Sequence, residues 1–362
     1  MRKRVKPVPL VFYFSLGFLI LGIVFSFVYR RSAAFAGFIN DTVAHGFRFV
    51  LGSITRFVPF SVAEMLLFSI PLLAILAVII SFRYAYTAAR RIRMLCIILS
   101  ILMPFYPLYM LTLAPGYHAP SLDVRMGLSA EPVSAEQLRE TAEILLSEVE
   151  PLLDEVYFSE NGASENPLSL KETGDEILKA YDLFLADFDI ANNFVSRPKT
   201  VVLRKYMTYA EITGMYTFIT GEANVNTVYP DYVIPFTVAH EFAHQRGIAR
   251  ENEANFVASL VCTYAEDSYV RYSGLFSLFE YVISAYARAD REGYKELWFS
   301  LDERLRNEIY AYSEAMEPYR DHVLGEVSAT VNNAYLEMNG TPGIISYGLV
   351  VDLAVSYYLS TE

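Results

Sequence analysis

Cysteine is nearly absent from this chain, which has two among its 362 residues, Cys96 and Cys262. Cys96 lies in an apolar run, and Cys262 follows a polar motif far along the chain. A disulfide framework needs more cysteines at closer spacings, so none is expected here. Cysteine usage therefore leaves the redox compartment open.

Acidic residues are almost missing from one end of the chain. Residues 1–113 contain 12 lysines and arginines but two acids, Asp41 and Glu64, which gives a net charge of +10. Residues 114–362 contain 17 basic and 39 acidic residues, a net charge of −22. A domain with that excess of negative charge repels a phosphate backbone, so no nucleic acid is expected as a partner. The chain is predicted to have two unlike parts.

Charge is also scarce in three long apolar runs of the first part, residues 8–29, 62–82 and 94–113. Each run is long enough to cross a hydrocarbon core of about 30 Å. Residues 1–113 are therefore predicted to be a membrane anchor with three transmembrane helices, and the lipid bilayer is a predicted partner. A cleaved signal peptide is the alternative for the first run, which is longer than an ordinary signal core. Residues 32–60 fit either a helix on the membrane surface or a loop.

Basic residues predict the orientation of these spans. Lysines and arginines crowd the N-terminal MRKRVK and the loop at residues 83–93. The positive-inside rule places both in the cytoplasm, and three spans then place residues 114–362 outside. We therefore expect a multi-pass protein of the cell membrane with an extracytoplasmic domain. If the third span is not real, that domain is cytoplasmic.

Histidine is scarce too, with five in the chain, yet two of them stand four residues apart in VAHEFAHQRG. Positions four apart lie on one face of a helix, so His240 and His244 can both bind one metal ion. Two imidazoles so placed are half of a zinc site, and Zn²⁺ is the predicted cofactor. Glu241 lies about 100° around the same helix, where its carboxylate can take a proton from water. Glu241 is therefore the predicted catalytic base.

A catalytic zinc site needs a third protein ligand. Gly247 allows the first helix to end, since glycine tolerates the left-handed conformation, and a second helix is predicted over residues 250–264. Glu251 near its start is the predicted third metal ligand. Asn255 lies on the same face and is expected to hold a ligand histidine through its amide. Glu253, which points about 200° away from Glu251, is the alternative ligand.

The rest of the second part shows three further patterns. Residues 114–133 are predicted to be a linker, and Ser134 with Gln137 fits a capping box at the start of a helix. Residues 199–229 are rich in β-branched and aromatic residues, which indicates a small β-sheet. With 27 tyrosines in the chain, the sequence does not single out an oxyanion stabiliser. The candidates are Tyr206, Tyr209, Tyr216, Tyr229 and His322.

HEFAH followed by ENEAN resembles the glutamate-type (gluzincin-like) zinc metallopeptidases, in which a glutamate on a following helix completes the HExxH motif. The resemblance implies a mainly helical α+β fold for residues 134–362, a zincin-like domain with a small sheet. In those enzymes the strand before the active-site helix binds the substrate backbone. The resemblance therefore implies that Glu222, Ala223 and Asn224 bind the substrate backbone. The alternative is that they form an ordinary core strand. The class with HExxHxxGxxH is excluded, because Arg250 occupies the position of its third histidine.

The wider sequence, from GMYTFITGEANVN to the C-terminal SYGLVVDLAVSYY, resembles a bacterial membrane-protein family of unknown function. Together the patterns predict a membrane-anchored zinc metallopeptidase that acts on a peptide or protein substrate. The alternative is a non-catalytic membrane receptor or scaffold that retains a structural metal site. An intact Glu241 favours the enzyme, because a structural site does not need a base.

Overall fold

The computed structural model describes residues 6–128, 133–187 and 194–360. Residues 1–5 of the basic N-terminus and residues 129–132 of the predicted linker lie outside these ranges. The described chain is mainly helical and carries a small three-stranded sheet. This confirms the mainly helical class with a small sheet.

The first part of the chain folds into helices whose starts are set by polar caps. The side chains of Ser32, Ser61 and Thr87 each accept a hydrogen bond from the backbone N–H three residues later. Such caps satisfy donors that the first turn of a helix leaves unpaired. The helices are α1 (Leu10–Tyr29), α2 (Ala33–Ile39), α3 (His45–Thr55), α4 (Val62–Tyr84), α5 (Ala88–Leu102), α6 (Phe105–Thr112), α7 (Ala114–His118) and α8 (Leu122–Met126).

Several helical stretches are long and apolar enough to cross a membrane. Three of them, Leu10–Tyr29, Val62–Tyr84 and Ala88–Thr112, coincide with or overlap the predicted spans. A fourth, Gly343–Ser360, has the required length and composition, but 44% of its apolar window is buried, against 0% for Val62–Tyr84. This C-terminal stretch therefore contributes to the protein core.

The segment between the first two spans packs against the rest of the protein through Arg48 of α3. This side chain is fully buried, and its guanidinium donates to Asn40 Oδ1 at 3.0 Å and to Thr112 O at 2.6 Å. Burial lowers the pKa of Arg48 to about 10. Because a buried cation must satisfy its donors, these bonds hold α3 against the end of α6. The segment is thus helical rather than a loop, while Val50 and Ile54 on its other face remain exposed.

The second part of the chain contains the main core. The predicted capping box of Ser134 and Gln137 is confirmed at the start of the first helix of this part. The remaining helices are α9 (Ala135–Val149), α10 (Leu170–Asp187), α11 (Arg204–Tyr209), α12 (Val233–Gln245), α13 (Glu251–Thr263), α14 (Ser268–Ala289), α15 (Arg291–Ser300), α16 (Glu303–Met316), α17 (Val323–Met338) and α18 (Val350–Ser360). Short 3₁₀ segments lie at Glu150–Asp154, Glu317–Tyr319 and Gly343–Leu349.

Helix α14 is the centre of this core, since it packs against α9, α12, α13 and α18. Phe276 and Phe279 of α14 and Phe256 of α13 are fully buried. Burying a side chain of this size contributes roughly 2 kcal/mol, so these aromatic residues stabilise the core that α13 and α14 share. The helices that carry the predicted metal ligands therefore rest on a rigid base.

The sheet shows where the predicted substrate-binding strand lies. Its strands are β1 (Lys199–Thr200), β2 (Gly214–Thr217) and β3 (Glu222–Val225), in the spatial order β1-β3-β2. β3 pairs with β1 in parallel and with β2 in antiparallel fashion. The strand with Glu222, Ala223 and Asn224 is therefore the central one, and all four of its residues are buried. Within the described sheet, β2 offers the edge next to α12.

Contacts cross the predicted boundary between anchor and metal domain. The Glu222 carboxylate accepts the N–H groups of Val62 and Ala63 at 3.0 and 2.8 Å, at the start of α4. In return, the Glu64 carboxylate of α4 accepts the N–H groups of Val202 and Leu203 at 2.8 and 2.7 Å. The end of a candidate membrane span is thus bonded to the sheet.

Candidate metal centre

The HExxH motif lies in the last two turns of α12. His240 and His244 stand on one face of this helix, as their spacing predicts, with ring centroids 4.6 Å apart. His244 is buried, while His240 is partly exposed to a cavity. The helix thus presents two imidazoles to the same region of the cavity wall.

A tight turn at Gly247 brings the chain back towards the histidines. Gly247 has φ +95°, which confirms the left-handed conformation expected at this helix end. The N–H of Ile248 donates to Ala243 O at 3.1 Å, and that of Gly247 donates to His244 O at 3.0 Å. This pair of bonds is a Schellman motif, which satisfies carbonyls at the end of α12. Because the turn is short, α13 begins at Glu251.

Glu251 lies between the two histidines. Its Oε2 atom is 3.2 Å from His240 Nε2 and 3.6 Å from His244 Nε2. One ligand atom from each of the three residues can be chosen so that all lie within 4.8 Å of one another. Burial raises the pKa of Glu251, but the charge and hydrogen bonds of the histidines outweigh it and leave the pKa below its ordinary value. Two nitrogens and a carboxylate oxygen at these separations fit a single divalent ion such as zinc.

The backbone, rather than Asn255, orients His244. Its Nδ1 donates to Ile248 O at 2.8 Å, which leaves Nε2 for Glu251 or a metal. Burial lowers the pKa of His244, but the Glu251 carboxylate outweighs burial and raises it to about 9. The Asn255 amide, predicted to hold a histidine, instead donates to the Tyr281 hydroxyl at 3.2 Å. The partner of the Asn255 amide thus lies on α14.

Glu253, the alternative ligand, has other partners. Its Oε1 accepts from Arg250 Nη1 at 2.7 Å and from the N–H of Leu122 at 3.0 Å. Arg250 also donates to Tyr117 O and Ala119 O, at 2.9 and 2.7 Å. Glu253 therefore ties α13 to the segment predicted as a linker, which contains the short helices α7 and α8, and it is not part of the group around the histidines.

Glu241 is buried beside this group. Its carboxylate accepts the N–H of Tyr216 in β2, while its Oε2 has no partner among the described residues. Burial, opposed by the two histidines, raises the pKa of Glu241 to about 7. Gly214 lies so close that an added Cβ would collide with the Glu241 carboxylate. β2 thus positions Glu241 with one oxygen free.

A cavity of about 1270 Å³ is lined in part by four residues of the candidate site, His240, Glu241, His244 and Glu251. Of the five candidate oxyanion stabilisers, Tyr216 lines it. Tyr206 is 63% exposed elsewhere on the surface, and Tyr209 contacts the ring of His322 at 4.6 Å. Tyr229 is buried in the core. The structure therefore brings one of the five candidates into the cavity.

Besides Tyr216, the cavity wall contains further tyrosines that sequence reasoning missed, and three of them interact with the charge of Glu251. Tyr117, Tyr281 and Tyr335 line the cavity, and burial and the charge of Glu251 both raise the pKa of each hydroxyl. They come from α7, α14 and α17, far apart in sequence. Tyr281 has an indirect signal in Asn255, a polar residue on the face of α13 that carries Glu251. Tyr117 and Tyr335 have none, because only the fold brings them to the metal ligands.

Comparisons with known proteins give one match. No curated protein and no solved structure matches the chain. A family model described as "Protein of unknown function (DUF3810)" matches residues 39–355, which include two of the candidate spans, the sheet and the histidine motif. This chain therefore belongs to the DUF3810 family of proteins of unknown function.

Proposed function

We propose that this protein is a membrane-bound, zinc-dependent metallopeptidase. The observation that carries the proposal is the convergence of His240, His244 and Glu251 on one point, with a free oxygen of Glu241 beside it. Zinc held by these ligands would polarise a peptide carbonyl and lower the pKa of water to about 7. The basic residues of the N-terminus and of the loop at 83–93 favour an extracytoplasmic metal domain.

Glu241 is the proposed proton carrier. It accepts a proton from the attacking water and then passes it to the amine that leaves. The Tyr216 N–H donates to the carboxylate and holds its orientation, and Oε2 has no other partner among the described residues. A base fixed in this way needs little reorganisation during the reaction.

Nearby groups suit the other requirements of peptide hydrolysis. Burial raises the pKa of Tyr281 and Tyr335, so both hydroxyls stay protonated at neutral pH and can donate to an oxygen that gains negative charge. The outer edge of β2 faces Glu241 and can bind an extended backbone. We therefore move the substrate-binding role from β3 to β2.

A non-catalytic structural site is the weaker alternative. Structural zinc sites close all four positions with protein ligands, whereas the group found among the described residues has three. Burial of the unpaired Glu241 oxygen also costs stability. A purely structural site would have no reason to retain such a carboxylate.

Replacing Glu241 by Gln tests the proposal. Full-length Glu241→Gln should bind zinc like the wild type, but hydrolysis of a pool of quenched fluorescent peptides should fall by about 100- to 10,000-fold, the usual contribution of a general base. Zinc content and peptide cleavage are measured on the same detergent-purified samples.

A matched control is Glu292→Gln, because the Glu292 side chain is 79% exposed on α15. This variant should keep both zinc and activity. Loss of zinc from Glu241→Gln, as severe as that expected from His240→Ala, would show that Glu241 acts as a ligand rather than as a base.

A further inference from the structure

The cavity at the metal site continues to two candidate membrane spans, one of which it reaches at its end. Besides His240 and Glu241, its wall includes Ser26 and Arg30 at the end of α1 and Phe105 in α6. A helix of 20 residues is about as long as the hydrocarbon core is thick, so the end of α1 marks a bilayer surface. The cavity therefore extends from the metal ligands to that surface.

Hydrogen bonds hold the C-terminal end of α12, which carries the two histidines, near the same bilayer surface. Arg48 donates to Thr112 O, the last residue of the Ala88–Thr112 span, and to Arg246 O, two residues after His244. Asn40 donates to Gly247 O at 3.3 Å, in the turn that carries the chain to Glu251. The metal site is thus fixed within a few residues of the end of a span.

Helix α17 forms one wall of this cavity and has an apolar face directed away from the core. Val323, Val327, Val331 and Met338 are 54–72% exposed, and their spacing places them within about 80° on one face. Arg30 of α1 donates to Met338 O at 2.9 Å. An exposed apolar face joined to the end of a membrane span is typical of a helix that lies in the membrane interface.

We propose that the substrate is a polypeptide segment that flanks the transmembrane helix of another membrane protein and enters the cavity at the bilayer surface, beside α17. This inference rests on the proposed peptidase function and adds the class of substrate. The continuity of the cavity supports entry from the surface, and the outer edge of β2, which lines the cavity, supports an extended backbone rather than a lipid chain.

The position of α17 is tested without any activity assay. In the full-length variant Val327→Cys, the new cysteine is labelled with an environment-sensitive fluorophore. The protein is reconstituted into phosphatidylcholine vesicles that contain spin-labelled lipid as the quencher. The native Cys96 and Cys262 are buried and should remain unlabelled. The label at Val327 should lose most of its fluorescence, whereas a label at Tyr157, 65% exposed in the metal domain, should keep it. Equal fluorescence at both positions would overturn the proposed entry from the bilayer surface.

The substrate class is tested in the same vesicles. A quenched fluorescent segment of randomised sequence is attached to a polyleucine transmembrane helix through a glycine–serine spacer of about 5 or about 40 residues, or is supplied as a soluble peptide. Effective concentration falls roughly as the −3/2 power of spacer length, so the short spacer should give cleavage roughly 20-fold faster than the long one. The soluble peptide should be cleaved most slowly.

The outcomes separate this inference from the proposed function. Equal cleavage of all three probes would overturn the membrane-flanking substrate and leave the peptidase intact. If none of the probes is cleaved, both the proposed peptidase function and the proposed substrate are overturned. Quenching of the label at Val327 would still place α17, and with it the cavity, at the bilayer surface. Release of fatty acid from the vesicles without peptide cleavage would identify a lipid substrate and overturn the assignment of a polypeptide.

Discussion

Two glutamates at the start of α13 differ in what they contact. Glu251 lies within 3.6 Å of both histidine Nε2 atoms, whereas Glu253 is bonded to Arg250 and to the N–H of Leu122. Their directions differ by about 200° around the helix, so a bound ion can be reached by one of them alone. The choice between them decides whether the histidine motif has a third ligand.

Zinc titration of two alanine variants tests this choice. Glu251→Ala should weaken zinc binding by more than about 100-fold, because removal of a ligand costs more than loss of a group that only supports one. Glu253→Ala should stay within about tenfold of the wild type, since it loses a contact to Arg250 outside the ligand group. Zinc loss from Glu253→Ala alone, with Glu251→Ala unaffected, would contradict the assignment.

The sequence predicts the positions of individual residues where these depend on local structure. The positions of His240, Glu241 and His244 follow from helical periodicity, and the left-handed turn at Gly247 follows from the conformational freedom of glycine. The partner of Asn255 does not, because Tyr281 lies 26 residues away on a helix whose packing is decided by the whole core.

At the scale of elements, the approach of β2 to α12 sets the position of Glu241. Gly214 has no side chain, and the Glu241 carboxylate occupies the space that a Cβ would need. Sequence alone could not show this, because the order of strands in a sheet depends on pairings between distant segments. For the same reason, the central position of β3 could not be read from its residues.

Gly214→Ala should therefore impair catalysis without removing the metal. The added methyl group displaces Glu241, and an error of about 1 Å in the position of a catalytic group costs about 100-fold in rate. Zinc affinity should be unchanged, because the atoms nearest to a Cβ at position 214 belong to Glu241 and Thr237 rather than to the three proposed ligands. Gly46→Ala is the matched control, since a Cβ there meets nothing within 4 Å. Wild-type rates for Gly214→Ala would show that the strand does not fix the base.

At the scale of the whole molecule, the two parts of opposite charge are not separate units. Asn40 and Arg48 from the first part bond to the turn that follows α12, and Glu64 bonds to the segment that follows β1. Composition predicted the apolar spans because length and hydropathy are local properties. It could not predict these contacts, because each joins residues more than 100 positions apart.

Residues 114–362 expressed alone should fail to form the metal site. Without residues 1–113, the Gly247 carbonyl loses Asn40, and the Val202 and Leu203 N–H groups lose Glu64. Buried polar groups left unpaired cost roughly 1–3 kcal/mol each, enough to remove most of the stability of a domain. The helix content, measured by circular dichroism, and the zinc affinity of this fragment are compared with those of a control chain that lacks residues 1–6. A fragment that folds and binds zinc like the full chain would contradict this prediction.

The most direct test of the central claim is zinc-edge X-ray absorption on the purified full-length protein. We expect one zinc per chain, bound by two imidazole nitrogens at roughly 2.0–2.1 Å and by oxygen ligands, with no sulfur. In Glu251→Ala the number of oxygen ligands from protein should fall while both imidazoles remain. A zinc environment with sulfur, or with other than two imidazoles, would contradict a catalytic site built from His240, His244 and Glu251.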